Sequence, residues 1–398
     1  MKKLKMRVEL LPHTPFLKSD GTFDKEKAID YSAKIAGECY EPDGWSKLKD
    51  EPTDKSARRA KLTLDLEHHS VYDHINIGFE ITNMPKIIAM LLNNEKQYNT
   101  SEKSARYTPV VRTEGSIISA KEEKLYNKWM DIFSKKIKDR YGHIYDDRKI
   151  TKLAQENSRY LVTVFMPTQM IHTVPFGQLN RIVGFMKKMI SNESKDDFTK
   201  KLIPYFEDFI NCFNQLNVLE DRLQANRKNR NFTLLSTKNR QEYFGDTYSV
   251  NYKGSFAQLA QAHRHRTIDY EMKLLDTKEY YVPPILKDDE KLVDEWLKDI
   301  SSVADVYPQG QLVMISESGT YDNFILKAKE RLCSAAQLEI ANQTKDTLVK
   351  YTDNLKTSNH PLAKDISLYD KGARCSFPDY KCPQSCKFDE GILLKREI

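Results

Sequence analysis

The sequence predicts an α+β protein of two tandem domains, each a sheet flanked by long helices, with a short cysteine-containing tail. Its 398 residues suit two or three domains rather than one. Strand-like and helix-like runs follow one another in the same order in the two halves, which indicates an internal duplication. The last stretch, 361–398, differs in character and contains Cys375, Cys382 and Cys386.

The composition is that of a soluble globular protein, with 30% charged and 39% hydrophobic residues. The net charge of +6 suits anionic ligands but is too weak to indicate specific nucleic-acid binding, and no cluster of basic and aromatic residues stands out. No apolar run approaches the roughly 20 residues of a membrane helix, and no secretory signal begins the chain. We therefore expect no membrane partner and a cytoplasmic location.

The first domain, residues 1–222, opens with a strand-like run and continues with alternating structure. Helices are expected at 25–39, 56–66, 83–95 (with Asn83 as N-cap), 121–144, 150–166, 177–190 and 197–216, and strands at 4–11 and 75–81. The second domain, residues 223–360, is expected to have a strand at 247–252, a helix at 255–266, an extended segment at 280–284 and a long helix at 322–351.

Two arginines flank a histidine in Arg264-His265-Arg266, at the end of the helix expected at 255–266. Guanidinium groups in this arrangement suit a phosphate or diphosphate. The alternative is a solvated basic helix end, because cations are favourable at helix C-termini. For this motif alone, the alternative is the preferred interpretation.

Arg264-His265-Arg266 after a strand–helix unit resembles the signature of flavin-dependent thymidylate synthases, which is Arg-His-Arg, seven residues and Ser. The first half resembles the same family at 8–16, 36–42, 68–74 and Glu102-x-Ser104-x-Arg106-Tyr107. The segment from Arg331 to Ile340 is similar to the C-terminal arginine helix of the family. The resemblance covers about residues 5–350 as two copies and excludes the tail.

Each half lacks part of the signature that the other half keeps. In the first half, Asn94-Glu95-Lys96 replaces Arg-His-Arg, but Ser104 stands eight residues after Lys96. In the second half, Arg-His-Arg is present, but Leu274 occupies the serine position. The family's nucleotide site draws the arginine motif from one subunit and Glu-x-Ser-x-Arg from its neighbour. The resemblance therefore implies a fused pseudo-dimer with one working nucleotide site per chain and a dead mirror site.

The resemblance implies roles for individual residues. Arg331 is expected to be catalytic, stabilising charge on the pyrimidine. The expected substrate-binding residues are Glu102, Ser104, Arg106, Arg159, Gln261 and Arg264. In an extended segment, the first three would point to one side. Without the resemblance, Glu102 to Arg106 are equally an exposed polar strand, Gln261 a solvated helix residue and Arg331 a surface arginine.

The flavin is expected to contact Arg264, His265, Arg266, His68, Ser70, Asp73 and Arg181. The histidines at 68, 69 and 74 leave two alternatives: a satisfied structural role, and, ranked below it, a metal site. The tail cysteines Cys375, Cys382 and Cys386 are candidate zinc ligands, with His360 or Cys333 as the fourth ligand. Loose surface thiols are the alternative for them.

The activity implied is reductive methylation of dUMP to dTMP, with FAD as cofactor and methylenetetrahydrofolate and NADPH as co-substrates. A related enzyme making a hydroxymethyl or other C5 product, and a non-catalytic flavin- or nucleotide-binding homologue, stay open as alternatives. The family is a homotetramer, so two fused copies predict a homodimer.

Overall fold

A computed structural model describes residues 5–104, 106, 109–110, 117–193, 195–225, 230–236, 238–378, 380–383, 386 and 396–398. The chain folds into two compact units. Unit 1 comprises Met1–Lys103 and Pro167–Thr233, and unit 2 comprises Ser104–Met166 and Leu234–Ile398. The stretch 104–166, from the first half of the sequence, therefore belongs to the same unit as the second half. Tyr107, part of the first-half motif, lies outside the described residues.

Both units combine helices and strands, as expected for an α+β protein. The helices are α1 Lys25–Ala36, α2 Trp45–Leu48, α3 Thr53–Asp65, α4 Lys86–Asn94, α5 Ala120–Tyr141, α6 Asp147–Ser158, α7 Phe176–Ser191, α8 Asp197–Gln215, α9 Phe256–Ala262, α10 Glu290–Ser301, α11 Tyr321–Arg331, α12 Leu338–Thr357 and α13 Ala363–Ile366. The strands are β1 Arg7–Leu10, β2 Asn76–Pro85, β3 Asn99–Glu102, β4 Pro167–Pro175, β5 Tyr243–Phe244, β6 Thr247–Ser255, β7 Asp269–Leu274 and β8 Leu312–Thr320.

Unit 1 contains an antiparallel sheet with the strand order β1-β2-β4-β3. Alternate side chains of its long central strand, Ile77, Phe79 and Ile81, are fully buried. This period of two places them on one face of the sheet. Phe79 packs on Phe213 of α8, with ring centroids 4.8 Å apart, so the helix covers this face.

Unit 2 contains a second antiparallel sheet, with the strand order β5-β6-β8-β7. In each sheet two long strands form the centre, and each of these four strands runs directly into a helix. The two sheets thus share one topology. This supports the predicted duplication. The predicted boundary near residue 222 divides the two copies in the sequence rather than the two structural units, and it stays a prediction.

A helical core in unit 2 joins α5 and α6 to α10. Trp129 and Trp296 pack edge to face with ring centroids 4.8 Å apart, and Phe133 lies against Trp296. All three rings are fully buried. Burial of such side chains is worth roughly 1.5–3 kcal/mol each. This core holds α5 and α6, from the first half of the sequence, against α10 from the second half.

The structure corrects several expected elements. The helix expected at 322–351 is two helices, α11 and α12, separated by residues 332–337. Asn83 is not an N-cap but lies within β2 at a positive φ of 60°. The strands β4, β7 and β8 were not expected. For β4, prolines at both ends hid the alternation of buried Met170, His172 and Val174, although proline is tolerated at a strand's first residue.

Among the described residues, none of the helices combines the length and the apolar character needed to cross a membrane.

Candidate active site

The basic motif occupies a turn that follows α9. Ser255 caps the helix by accepting from the Gln258 amide, and the helix ends at Ala262, four residues earlier than expected. The amide of Arg264 then donates to the Gln261 carbonyl at 3.2 Å, and that of His265 to the Ala262 carbonyl at 2.9 Å. In this turn Arg264 and Arg266 are exposed and His265 is buried. Both arginines therefore lie at the surface of unit 2.

His265 contacts the predicted catalytic arginine. Arg331, the last residue of α11, is buried, and its Nε donates to His265 Nε2 at 2.6 Å. Because arginine stays protonated, Nε2 is the acceptor and the imidazole hydrogen is on Nδ1. That nitrogen lies 3.7 Å from the Glu330 carboxylate, which is also 3.7 Å from Arg331. The histidine thereby orients the guanidinium.

The charge state of His265 follows from its surroundings. Burial, and then the cations Arg331, Lys327 and Arg264, lower the pKa of His265 to about 2. The imidazole is therefore neutral at physiological pH and keeps a lone pair for Arg331.

This depressed pKa predicts a pH dependence of stability. Below about pH 6.5 the histidine of the unfolded chain, with a pKa of about 6.5, binds a proton that the folded chain does not bind. The stabilisation is complete above about pH 6.5 and declines as the pH falls towards about 2. Between pH 7.5 and 5.5 we expect the free energy of unfolding of unit 2 to drop by about 1.4 kcal/mol through this group.

Urea unfolding of wild type and His265→Gln at the two pH values measures this drop. The variant should lose that share of the pH dependence, while His74→Gln, which replaces an exposed histidine of unit 1, should retain it. An unchanged dependence in His265→Gln would show that the histidine is not buried in its neutral form.

Arg106, from the first half of the sequence, joins the same cluster. It is buried, its Nε pairs with the Glu156 carboxylate, and its guanidinium donates to the Ala335 carbonyl at 3.1 Å. Burial lowers the pKa of Arg331, Glu330 opposes this, and the positive charges of Arg264 and Arg106 add to the lowering. Residues of the two halves predicted to form one site are therefore within electrostatic reach of each other.

Gln261 adds an unsatisfied polar group to this cluster. Its side chain is only 4% exposed, and neither Oε1 nor Nε2 has a hydrogen-bond partner within the described part of the chain. A buried amide without partners costs about 1–3 kcal/mol. A polar ligand bound beside Arg264 would supply these bonds and remove that cost.

Further buried side chains of unit 2 form a hydrogen-bonded network. Arg159, buried and with its pKa lowered by burial, donates to Gln337 Oε1 at 3.0 Å. Tyr160 donates to Glu339 at 2.8 Å, and the Ser255 hydroxyl donates to the same carboxylate at 2.6 Å. Burial raises the pKa of Glu339. This carboxyl ties the start of α9 to α12, so it holds the helix that presents Gln261.

The sequence interpretation did not include Glu156 and Tyr160 in the site. Glu156 lies one helical turn before Arg159, a spacing that could have suggested a charged neighbour on the same face. For Tyr160 no sequence signal existed, because its bond to Glu339 spans 179 positions. The bond follows from packing alone.

The remaining predicted substrate residues are Glu102 and Ser104. Glu102 ends β3 in unit 1 and accepts from Lys86 at 2.7 Å and from Thr168 at 3.0 Å. The Ser104 hydroxyl, in unit 2, accepts weakly from the Arg106 amide at 3.4 Å. The strand β3 ends at Glu102, and Arg106 lies in a turn, so Arg106 departs from the extended geometry expected for this segment. Their roles stay predictions.

Unit 1 holds the other residues predicted to contact flavin. Arg181 donates to both carboxylate oxygens of Asp73, at 3.0 and 2.8 Å, and to Gln178 at 3.0 Å. His68 and Ser70 are exposed beside this pair in sequence, at the short 3₁₀ helix His69–His74. A Cβ at Gly177 would come within 2.5 Å of Asp73, so glycine permits the close approach. Asp73 and Arg181, two of the four residues of unit 1 that were predicted to contact flavin, are therefore in direct contact.

In the segment of unit 1 that replaces Arg-His-Arg, the side chain of Glu95 is buried by contacts with other residues of the unit. The Glu95 side chain is 2% exposed and pairs with Arg230 at 2.9 Å. It also accepts from the amide and hydroxyl of Thr233, at 2.6 and 2.9 Å, while Asn94 donates to the same hydroxyl at 2.8 Å. A buried carboxylate stands where the second half has a histidine between two arginines, which disfavours an anionic ligand.

The tail cysteines do not form a closed metal site. Within the described ranges, no group of three or more His, Cys, Asp or Glu side chains is placed to hold a metal ion. None of the six cysteines, all of which lie in the described ranges, forms a disulfide. Burial raises the pKa of Cys375, and the neighbouring thiols of Cys386, Cys382 and Cys333 add to this. The cysteines are therefore neighbours without a common centre.

Comparison with known proteins finds one family that is similar to the first half of the chain. Residues 22–189 match the family described as thymidylate synthase complementing protein. This match covers 168 of the 398 residues (22 to 189), and over this part the chain is similar to that family. The matched range includes Arg106 and Arg159 but stops before Arg264 and Arg331.

Solved structures similar to the chain include two enzymes. Thymidylate synthase X (ThyX) from Helicobacter pylori, solved with FAD and dUMP, is 15% identical with a TM-score of 0.31, over 55% of this chain and 100% of that chain. The UMP/dUMP methylase PolB from Streptomyces cacaoi, bound with 5-Br dUMP, is 12% identical with a TM-score of 0.35, over 56% of this chain and 96% of that chain. Among curated proteins, none matches.

Proposed function

We propose that the protein methylates dUMP to dTMP reductively, with FAD as cofactor and with methylenetetrahydrofolate and NADPH as co-substrates. The observation that carries this proposal is the proximity of Arg106, Arg264 and Arg331 in unit 2, with the buried Gln261, whose amide has no hydrogen-bond partner among the described residues, on the helix before Arg264. Among the described residues, the ion pairs of these three cations are with two carboxylates, Glu156 and the half-exposed Glu330. Such an excess of positive charge suits a nucleotide phosphate.

Arg331 is the proposed catalytic residue. The uracil ring must become electron-rich at C5, so negative charge develops on its ring nitrogen and carbonyl oxygens. A guanidinium that is already oriented stabilises this charge without reorganising. The bond from Arg331 Nε to His265 and the burial of both groups support such preorganisation, because charges interact more strongly away from water.

The phosphate is proposed to bind Arg264, with Arg106 and Arg159 contributing positive charge. Gln261 would place its amide against the phosphate or sugar and thereby satisfy its own buried polar atoms. Ser104 and Glu102 keep their predicted substrate roles. In this proposal the working site combines Arg106 and Arg159 from the first half of the sequence with Gln261, Arg264 and Arg331 from the second.

FAD is the cofactor that the family implies, and the residues present suit it. Arg264 and Arg266 offer exposed cations for its diphosphate, and neutral His265 lies between them. His68, Ser70, Asp73 and Arg181 of unit 1 are the further proposed contacts. When bound and reduced, FAD supplies the hydride that completes the methyl group, and NADPH restores the reduced form.

The purified protein tests this function directly. We expect a yellow protein that oxidises NADPH faster when dUMP is added, and a product with the mass of dTMP when methylenetetrahydrofolate is also present. A product heavier by one oxygen would identify the hydroxymethylating alternative. Bound flavin without any nucleotide product would identify a non-catalytic homologue instead. The homodimer expected from the family's tetramer belongs to the same proposal.

We further propose one nucleotide site per chain. The closure of Glu95 by Arg230 and Thr233 supports a dead mirror site, which would comprise Asn94, Glu95, Lys96, Leu274 and Asp276. Calorimetric titration with dUMP should saturate at about one nucleotide per chain, since an anion gains nothing beside a buried carboxylate.

Two matched variants locate that site. Arg264→Ala should weaken dUMP binding strongly, whereas Lys96→Ala, at the corresponding place in the first half, should leave the affinity and stoichiometry unchanged. Two equal sites per chain, or loss of binding in Lys96→Ala, would contradict the proposal.

A further inference from the structure

A cavity of about 450 Å³ in unit 2 lies between the tail and the segment 332–335, which follows Arg331. Its walls include residues 332–335, residues 144–146 with Lys149, and the tail around Arg374. Cys333, Cys375, Cys382 and Cys386 all line it. The sequence of unit 2 contains no other cysteine, so every thiol of this unit faces one cavity.

The fold, rather than sequence proximity, brings Cys333 to the other three. It precedes Cys375 by 42 positions (375 − 333). Backbone contacts hold the two stretches together: the amide of Arg374 donates to the Leu332 carbonyl at 2.7 Å, and its guanidinium to the Lys329 carbonyl at 3.4 Å. Cys39 and Cys212 belong to unit 1. A gathering of four thiols from two separate stretches points to a shared ligand.

The charges around the cavity suit a metal bound by thiolates. A divalent cation with four thiolate ligands carries a net charge of −2. Lys149 and Arg374 line the same cavity together with Asp146, so the lining has one net positive charge that would offset part of that charge. Four thiolates select a soft or borderline cation, and a tetrahedral set of four cysteines is a usual structural zinc site.

We propose that Cys333, Cys375, Cys382 and Cys386 bind one structural zinc ion. The four thiols line the cavity without a common centre, so binding must bring the sulfurs to about 2.3 Å from the ion and release their protons. The position of His360 argues against this histidine as the fourth ligand. Its Nδ1 accepts from the Leu362 amide at 3.2 Å, and it is not among the described residues lining the cavity.

The zinc ion would also help to position the arginines of the proposed active site. Cys333 follows Arg331 by two residues, and its amide donates to the Arg331 carbonyl at 2.8 Å. Ala335, two residues further, accepts from Arg106. A metal that fixes Cys333 therefore fixes the segment that joins the two arginines. This positional role rests on the proposed function, whereas the zinc ion itself does not.

Metal analysis of the full chain, purified without chelators, tests the proposal. We expect about one zinc per chain by plasma mass spectrometry. Cys375→Ser/Cys382→Ser and Cys333→Ser should each reduce zinc to background. The matched variants Cys39→Ser/Cys212→Ser and His360→Gln should keep one equivalent. Zinc retained in the first set, or lost in His360→Gln, would overturn the assignment of ligands.

Cobalt substitution of the wild-type chain provides a second measurement if a variant does not fold. Zinc removed by chelation and replaced by Co²⁺ should give the visible absorption bands of tetrahedral cobalt thiolate. A wild-type chain that takes up neither zinc nor cobalt would disprove the site. Zinc at one equivalent in a chain that binds no flavin or dUMP would leave the metal site intact and refute only the proposed function.

Discussion

Replacing Arg331 by alanine is expected to lower turnover at least about 100-fold while FAD stays bound. Loss of one preorganised donor that meets developing charge costs roughly 10²–10³ in rate. Arg331 is buried and held by His265, so neither water nor a neighbouring cation can take its place without rearrangement. Rapid-quench measurement of dTMP formation, with flavin absorbance recorded in parallel, separates the chemical step from cofactor binding.

Two further substitutions at this position make the test specific. Arg331→Lys keeps a cation but loses the Nε donor to His265, so turnover should stay well below that of wild type. Glu330→Gln removes the half-exposed neighbouring carboxylate and should preserve most of the activity. Near-normal turnover in Arg331→Ala would defeat the catalytic assignment, and loss of flavin would show a binding role instead.

Lys327→Met is expected to destabilise unit 2 by about 3–5 kcal/mol, because it leaves a buried carboxylate without its counter-charge. Lys327 and Glu317 are both fully buried and 2.6 Å apart. Tyr248 and Tyr252 donate to the same carboxylate at 2.7 and 2.8 Å. These neutral hydroxyls do not replace the ammonium charge. The pair lies between β8 and α11, the helix that ends at Arg331, the proposed catalytic residue.

Urea unfolding followed by tryptophan fluorescence measures this loss, since Trp129 and Trp296 both belong to unit 2. Lys327→Met/Glu317→Gln should recover most of the stability by removing both charges. Lys350→Met, at an exposed ion pair with Glu242, should change it by less than about 0.5 kcal/mol. An equally small effect in Lys327→Met would mean that water reaches the pair.

Local patterns predicted much of the fold. The α+β class is confirmed, and the helices at 177–190 and 197–216 differ from α7 and α8 by at most one residue at each end. The strands β7 and β8 were missed because polar and charged residues interrupt their alternation. Glu317, for instance, is fully buried in β8 and satisfied only by tertiary partners. A pattern of hydrophobic residues cannot predict such a position.

For the site, short motifs predicted the residues that carry charge, and packing determined the rest. Arg106, Arg264 and Arg331 were expected together from motif spacing and lie within electrostatic reach in unit 2. Glu156 and Tyr160 were not expected, because their roles depend on partners that only the tertiary structure brings close. The end of α9 at Ala262 also escaped prediction, since the residues up to Arg266 suit a helix equally well.

The backbone crosses between the two units three times, and this limits where the chain can be truncated. The chain enters unit 2 at residue 104, returns to unit 1 at 167 and leaves it again at 234. No single break therefore yields either unit as one continuous polypeptide. A nonsense mutation midway would remove the partner of α5 and α6 and leave their aromatic core in water. An intact unit 2 therefore needs α5 and α6 from the first half of the sequence as well as the whole of the second half.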